Sequence, residues 1–131
     1  MKKDYLIKLG MLQQEAERLG KENEAISKQV IELNELKINL TEFLNSKSKD
    51  SLISFGKGIY TKAELRDKEL YVNIGSGIVV KKSVEDTIRV INEQIIKLEE
   101  MKGNLLKEME NLNEKVQELG KEEREEQRNE G

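Results

Sequence analysis

The sequence predicts a mainly α fold: a long antiparallel two-helix coiled coil with two small β-hairpins at one end. Three observations carry this. Apolar residues recur at alternating steps of four and three along both terminal thirds of the 131-residue chain. At the centre, the stretch from Ile53 to Lys62 returns nineteen residues later as Val72 to Lys81, with Gly56 and Gly58 falling on Gly75 and Gly77. Apolar residues make up 36% of the chain and charged residues 37%, where a compact globule has about 45–50% and about 25%. That composition does not fill one large core, but a narrow seam between long helices needs far less apolar material. The length suits a single domain over residues 1–131.

The N-terminal helix is expected over 5–47. Its seam runs Tyr5, Leu9, Leu12, Ala16, Leu19, Asn23, Ile26, Val30, Leu33, Lys37, Leu40 and Leu44, with only Asn23 and Lys37 polar. A period of 3.5 sustained over more than five heptads marks a coiled coil, with Leu9, Ala16, Asn23, Val30, Lys37 and Leu44 at a positions. A helix of some 40 residues is about 60 Å long at 1.5 Å per residue.

The central segment, 51–82, reads as tandem hairpins. Strand candidates are Leu52–Phe55, Ile59–Leu65, Glu69–Ile74 and Ile78–Lys81. Between them stand Gly56-Lys57-Gly58, Arg66-Asp67-Lys68 and Gly75-Ser76-Gly77. Short strands joined by three-residue loops containing glycine are hairpins. A Gly-x-Gly loop also invites a phosphate-binding reading, but neither loop opens a helix, and no third glycine or Gly-Lys-Ser/Thr follows.

The C-terminal helix is expected over 83–127. Its seam is Val84, Ile88, Ile91, Ile95, Leu98, Lys102, Leu105, Met109, Leu112, Val116 and Leu119, with Lys102 the one polar member. Ser83 and Asp86 resemble a capping box with Asp in place of Glu or Gln. Beyond Leu119 the tail is polar all round and reads as a solvated or disordered end. The short connection makes the helices antiparallel, with residue i facing roughly residue 128 − i, so Asn23 and Lys102 lie in adjacent layers. Polar a residues cost stability and fix register, although Lys also snorkels to solvent. Gly10, Gly20, Gly103 and Gly120 interrupt the helical stretches at about 1 kcal/mol each against Ala. Gly10 and Gly120 would be close neighbours, so the end far from the hairpins should fray most easily.

Function classes fall away in turn. There is no Cys or His, so disulfides, Cys/His zinc sites and His-based catalysis are excluded. Carboxylates such as Glu99 and Glu100 belong to a charged, solvated helix face, and no enzyme activity or cofactor is expected. Net charge is -3 with signs interspersed and few aromatics, which argues against nucleic acid. No apolar run approaches a membrane span of about 20 residues, and the N-terminus lacks the apolar stretch of a signal peptide. A soluble cytoplasmic protein is expected.

The hairpins set the functional question. An isolated hairpin is marginally stable in water, and open edges demand pairing. Ile53, Phe55, Ile59, Tyr60, Val72, Ile74, Ile78 and Val79 need something to pack on. Strands from several subunits would complete a larger sheet or barrel and abolish the edges. The hairpins therefore read as an oligomerisation element.

Helix, two hairpins, helix, with Phe55-Gly-Lys-Gly-Ile-Tyr-Thr-Lys-Ala-Glu-Leu65 and Val72-Asn-Ile-Gly-Ser-Gly-Ile-Val-Val-Lys-Lys-Ser83 as its two glycine turns, resembles the prefoldin family. It resembles the α-class subunit in particular, which carries two hairpins where the β-class carries one. The resemblance covers essentially the whole chain and implies an ATP-independent chaperone, or holdase. Two α and four β subunits would form a hexamer with a double β-barrel body. Unfolded polypeptides would be captured at the coiled-coil tips and passed to a group II chaperonin. In this sequence, apolar residues near the N-terminus exceed what the seam needs: Leu6, Ile7 and Met11 lie off the a and d positions beside Tyr5, Leu9 and Leu12. With Val116 and Leu119 they form the expected client-binding surface, although scattered surface apolars are also ordinary. The alternative is a structural scaffold that polymerises into filaments through its hairpins by a contact that does not close.

Overall fold

A computed structural model describes the chain from Lys2 to Glu130. The elements are α1 (Lys2–Asn45), β1 (Asp50–Gly56), β2 (Ile59–Glu64), β3 (Leu70–Gly75), β4 (Ile78–Lys82) and α2 (Val84–Glu130). The chain divides into two compact units, residues 1–31 with 96–131, and residues 32–95.

In the first unit the two helices meet through the expected seam. Leu19, Ile26, Leu105 and Leu112 are buried, with Leu12, Val30, Leu98 and Met109 packed against them. Leu12 lines a groove with Leu119, and Leu19 lines another with Leu112. Positions that advance along α1 thus meet positions that retreat along α2, which makes the pair antiparallel. Each fully buried Leu or Ile is worth about 1.5–3 kcal/mol of apolar transfer, so these layers hold the unit together. Asn23 is half-buried at its a position, and its carboxamide oxygen is shut from solvent with no hydrogen-bond partner among the described residues. Lys102 is half-buried too. One seam position departs from expectation: Ala16 is exposed while its neighbour Glu15 is half-buried. Ala reaches least far toward the partner helix, and a groove lined by Glu15, Leu19, Glu108, Asn111, Leu112 and Lys115 opens at this level.

In the second unit Val84 and Ile91 are buried, and the seam positions Leu33, Leu40, Leu44, Ile88 and Ile95 are half-buried. α1 ends at Asn45, two residues before the expected stop. Ser48 Oγ accepts the amide of Asp50 at 3.2 Å, a local side-chain turn that competes with helix. α2 starts where Ser83 caps it: Ser83 Oγ accepts the amide of Asp86 at 3.1 Å, and Ser83 O accepts that of Thr87 at 3.1 Å. The reciprocal half of the capping box does not form. The Asp86 carboxylate, one methylene shorter than Glu, pairs with Arg89 at 3.0 Å instead. The polar tail is helical through Glu130, not disordered, because Glu, Lys, Arg and Gln are strong helix formers.

The hairpins are separate two-stranded antiparallel sheets, β1–β2 and β3–β4. Ile53 pairs with Thr61 and Leu52 with Lys62; Val72 pairs with Val80 and Tyr71 with Lys81. The turns are tighter than the expected three-residue loops. Lys57-Gly58 (φ 52 and 79) and Ser76-Gly77 (φ 52 and 74) have both central residues at positive φ, the pattern of a two-residue type I′ turn. A bulge precedes each, between Ser54 and Gly56 and between Asn73 and Gly75. Even the side-chain brace is duplicated: Ser54 Oγ accepts the Gly56 amide at 3.2 Å, and Asn73 Oδ1 accepts the Gly75 amide at 2.9 Å.

Candidate functional site

Two surfaces carry the residues that the sequence singled out, one in each unit. In the second unit the ladder register decides which side chains share a face. Ile53, Thr61, Ala63 and Ile59 fall on one face of the first hairpin, with Phe55 at its bulge. On the second hairpin the equivalents are Val72, Val80, Lys82 and Ile78, with Ile74 at the bulge. Each hairpin therefore presents the same apolar face, and little covers it. Phe55 is 71% exposed, and Ile53, Ile59, Ile74 and Ile78 are all at least half exposed; Val72 is half-buried. Tyr60 and Val79 lie on the opposite face, also exposed, with Leu52 and Tyr71. Sequence reasoning left out Leu52 and Tyr71. The nineteen-residue superposition held the signal, since it sets Leu52 on Tyr71 and Tyr60 on Val79.

That opposite face of the second hairpin is braced by charge. Lys81 Nζ sits 2.6 Å from the Glu69 carboxylate and 5.9 Å from the Tyr71 ring centroid. The hydrogen bond to Glu69 chiefly, and then the charges around it, raise the Lys81 ammonium above the ordinary lysine range. A raised lysine stabilises the fold throughout neutral pH and loses that contribution only as pH climbs through the raised value.

In the first unit the structure brings Met11, Leu12 and Leu119 into one groove, rimmed by Lys8, Lys115, Glu118 and Glu122. Tyr5 and Leu119 line a more polar neighbour with Asp4, Lys8, Glu122 and Glu123. Tyr5, Leu9, Leu12, Val116 and Leu119 are half-buried by the seam, whereas Leu6, Ile7 and Met11 are 57%, 57% and 66% exposed. Ile7 and Met11 stand four residues apart and share a helix face; Leu6 and Ile7 line neither groove. The charged rim was not singled out from sequence, although Lys8, Lys115 and Glu122 occupy g positions flanking the seam. Exposed off-seam apolars recur along the helices as well: Ile96, Met101 and Leu106 in the first unit, Leu36, Ile38 and Val90 in the second. Among the described residues no cluster of acidic side chains suits a metal ion, and no helix is long and apolar enough to cross a membrane.

A two-helix seam in the first unit and two hairpins with exposed apolar faces in the second are the features set against known proteins. Residues 12–129 match the Prefoldin family, described as prefoldin subunit, and the chain belongs to that family. Prefoldin subunit alpha of Methanosphaera stadtmanae is 26% identical over 91 residues, covering 64% of this chain and 66% of that protein. Prefoldin subunit alpha of Archaeoglobus fulgidus is 31% identical over 91 residues, covering 63% and 66%. The counterpart in Methanobrevibacter smithii is 27% identical over 108 residues, covering 82% and 74%. The match thus spans a little under two thirds of the length of the first two relatives. With two hairpins and these relatives, the chain is of the prefoldin α type. Among solved structures, a chain of the filamentous PFD from Methanocaldococcus jannaschii shares the fold, with a TM-score of 0.50 at 20% identity over 92% of this chain and 95% of that one.

Proposed function

We propose that this chain is a subunit of an ATP-independent holdase. It assembles through its hairpins with β-class prefoldin subunits, in the hexamer of two α and four β chains that the family resemblance implies. It holds unfolded polypeptides and yields them to a group II chaperonin. The observation that carries the assembly reading is the duplicated apolar face, exposed at Ile53, Phe55 and Ile59 and again at Ile74 and Ile78, with Val72 half-buried between them. Leaving such a face in water forgoes roughly 25 cal/mol for every Å² of apolar surface, and its flanking edges carry unpaired amides and carbonyls.

The holding surface is the N-terminal segment of α1 with the last seam turns of α2: Tyr5, Leu6, Ile7, Leu9, Met11, Leu12, Val116 and Leu119. Leu6, Ile7 and Met11 support this because all three are exposed, and Met11 lines a groove whose rim mixes both signs of charge. An apolar strip of that kind takes non-native chains without demanding a sequence, and the thioether of Met11 adapts to varied partners.

A second reading, a scaffold that polymerises through the hairpins, draws support from the fold shared with a chain of a filamentous assembly. One experiment tests both. A chemically unfolded client is diluted into nucleotide-free buffer with the assembled protein, and light scattering is followed. The triple variant Leu6→Ser, Ile7→Ser, Met11→Ser and a chain lacking residues 1–12 are run beside it. The holdase reading expects the intact assembly to suppress scattering and both variants to lose suppression while keeping their assembly size. Unchanged scattering with an intact oligomer sinks the holdase reading and leaves the scaffold.

A further inference from the structure

The link between the hairpins, Leu65 to Glu69, is tied back to the segment that leaves α1. The Leu65 amide donates to Lys49 O at 2.7 Å and carries the β1–β2 register one pair past Asp50 and Glu64. Lys68 Nζ donates to Leu44 O at 2.8 Å and also to Ser46 O. Inside the link, Asp67 Oδ1 accepts the Glu69 amide at 3.1 Å and sets its turn. α1 carries no basic residue in its own last turn. Its final carbonyls lack intrahelical partners, and its dipole leaves partial negative charge there. Lys68 supplies the missing cation from outside the helix. Lys47, Lys49 and Arg66 line the same groove, but among the described residues Lys68 alone of these cations bonds a helix carbonyl.

The two hairpins share no strand pairing, so no ladder holds one at a set angle to the other. What orients them is the passage of β4 into α2 at Ser83 and Val84, and the ties of the link to the end of α1. We infer that Lys68 is a positioning residue for assembly, strapping the inter-hairpin link to the α1 terminus and so setting the directions in which the two apolar faces point. This rests on the reading that the hairpins are the assembly surface. Whether successive contacts close into a ring or run on as a filament depends on the rotation between them, and the link is the segment of this chain that joins the two faces. The charge matters as well as the reach: a neutral side chain of equal length neither donates to the carbonyls nor answers the helix dipole.

The test compares the full chain with Lys68→Met, Lys68→Arg and the hairpin-face variant Phe55→Ser with Ile74→Ser, each assembled with any partner subunits produced alongside it. Amide exchange of Glu69, bonded to Asp67 inside the link beside Lys68, reports the strap, and particle size by electron microscopy and sedimentation reports the assembly. Lys68→Met is expected to speed Glu69 exchange about two- to fivefold and to broaden or shift the size distribution at unchanged helix content. Lys68→Arg, which keeps charge and donors, restores both. Faster exchange with an unaltered size distribution overturns the positioning role, and unaltered exchange overturns the strap itself. If the hairpin-face variant assembles as the parent does, the inference falls together with the assembly reading. If that variant dissociates while Lys68→Met assembles normally, the inference falls alone.

Discussion

Lys57 and Ser76 hold positive φ without being glycine, and each is therefore held at a cost of about 1–2 kcal/mol. Asn tolerates that region far better and is favoured in type I′ turns. Lys57→Asn and Ser76→Asn are each expected to slow amide exchange across their own hairpin severalfold, with no change elsewhere. At Gly58 and Gly77 nothing stands within 4 Å of an added Cβ, so Ala there costs through its backbone alone, about 1 kcal/mol. Arg18 offers a prediction of opposite character. It forks onto the Glu15 carboxylate and reaches Glu22 at 2.5 Å, and its hydrogen bond chiefly holds the Glu15 carboxyl below the ordinary glutamate range. A depressed carboxyl stabilises the fold above its unfolded value and loses that contribution as pH falls through the lowered one. Arg18→Met should thus melt lower than the parent at neutral pH, and the two melting curves should converge in acid; a gap that persists in acid would assign the effect to packing.

The helices are where sequence and structure agree most fully, and the reason is periodicity. Every α2 seam position and all of those in α1 save Ala16 are buried or half-buried, because a 3.5-residue repeat leaves a helix one way to hide its apolar side chains. What periodicity does not carry was harder to read. The turn lengths depended on Lys57 and Ser76 entering positive φ, which neither residue type advertises. The Lys68 strap spans 24 residues, and no local pattern foretells it. The capping half that Asp86 declines turns on one methylene. Among candidate site residues, those at the hairpin faces followed from the repeat, whereas the groove rim of Lys8, Lys115 and Glu122 required seeing which g positions oppose each other. Two element-scale outcomes follow. At Gly20 and Gly103 an added Cβ meets no atom within 4 Å, so Gly20→Ala and Gly103→Ala should each raise stability by about 0.5–1 kcal/mol in denaturant titrations. Asn23→Val should do likewise by about 1 kcal/mol, since it removes an unpaired buried oxygen from an a layer. A loss of stability instead would show that Asn23 holds the register.

At the scale of the whole molecule, one chain carries two copies of one apolar face, and the copies can be disabled separately. Ile53→Ser, Phe55→Ser and Ile59→Ser silence the first hairpin and leave the second, together with its duplicated turn and brace, intact. All three side chains are at least half exposed, so the chain itself should fold and melt as before. Its behaviour in mixtures depends on the topology of assembly. In an open polymer with a repeating heterologous contact, a chain with one working face joins an end and stops growth there. Filament length then falls steeply as the variant is added, even at a small fraction of the total, while a chain disabled in both hairpins changes nothing. In a closed particle each position is filled once, so with two α positions the yield of complete particles falls as the square of the parent chain's share, and their size stays unchanged. Electron micrographs of a mixing series distinguish the two by particle length against variant fraction. The holdase reading expects discrete particles with falling yield, and a steep shortening of filaments would favour the scaffold.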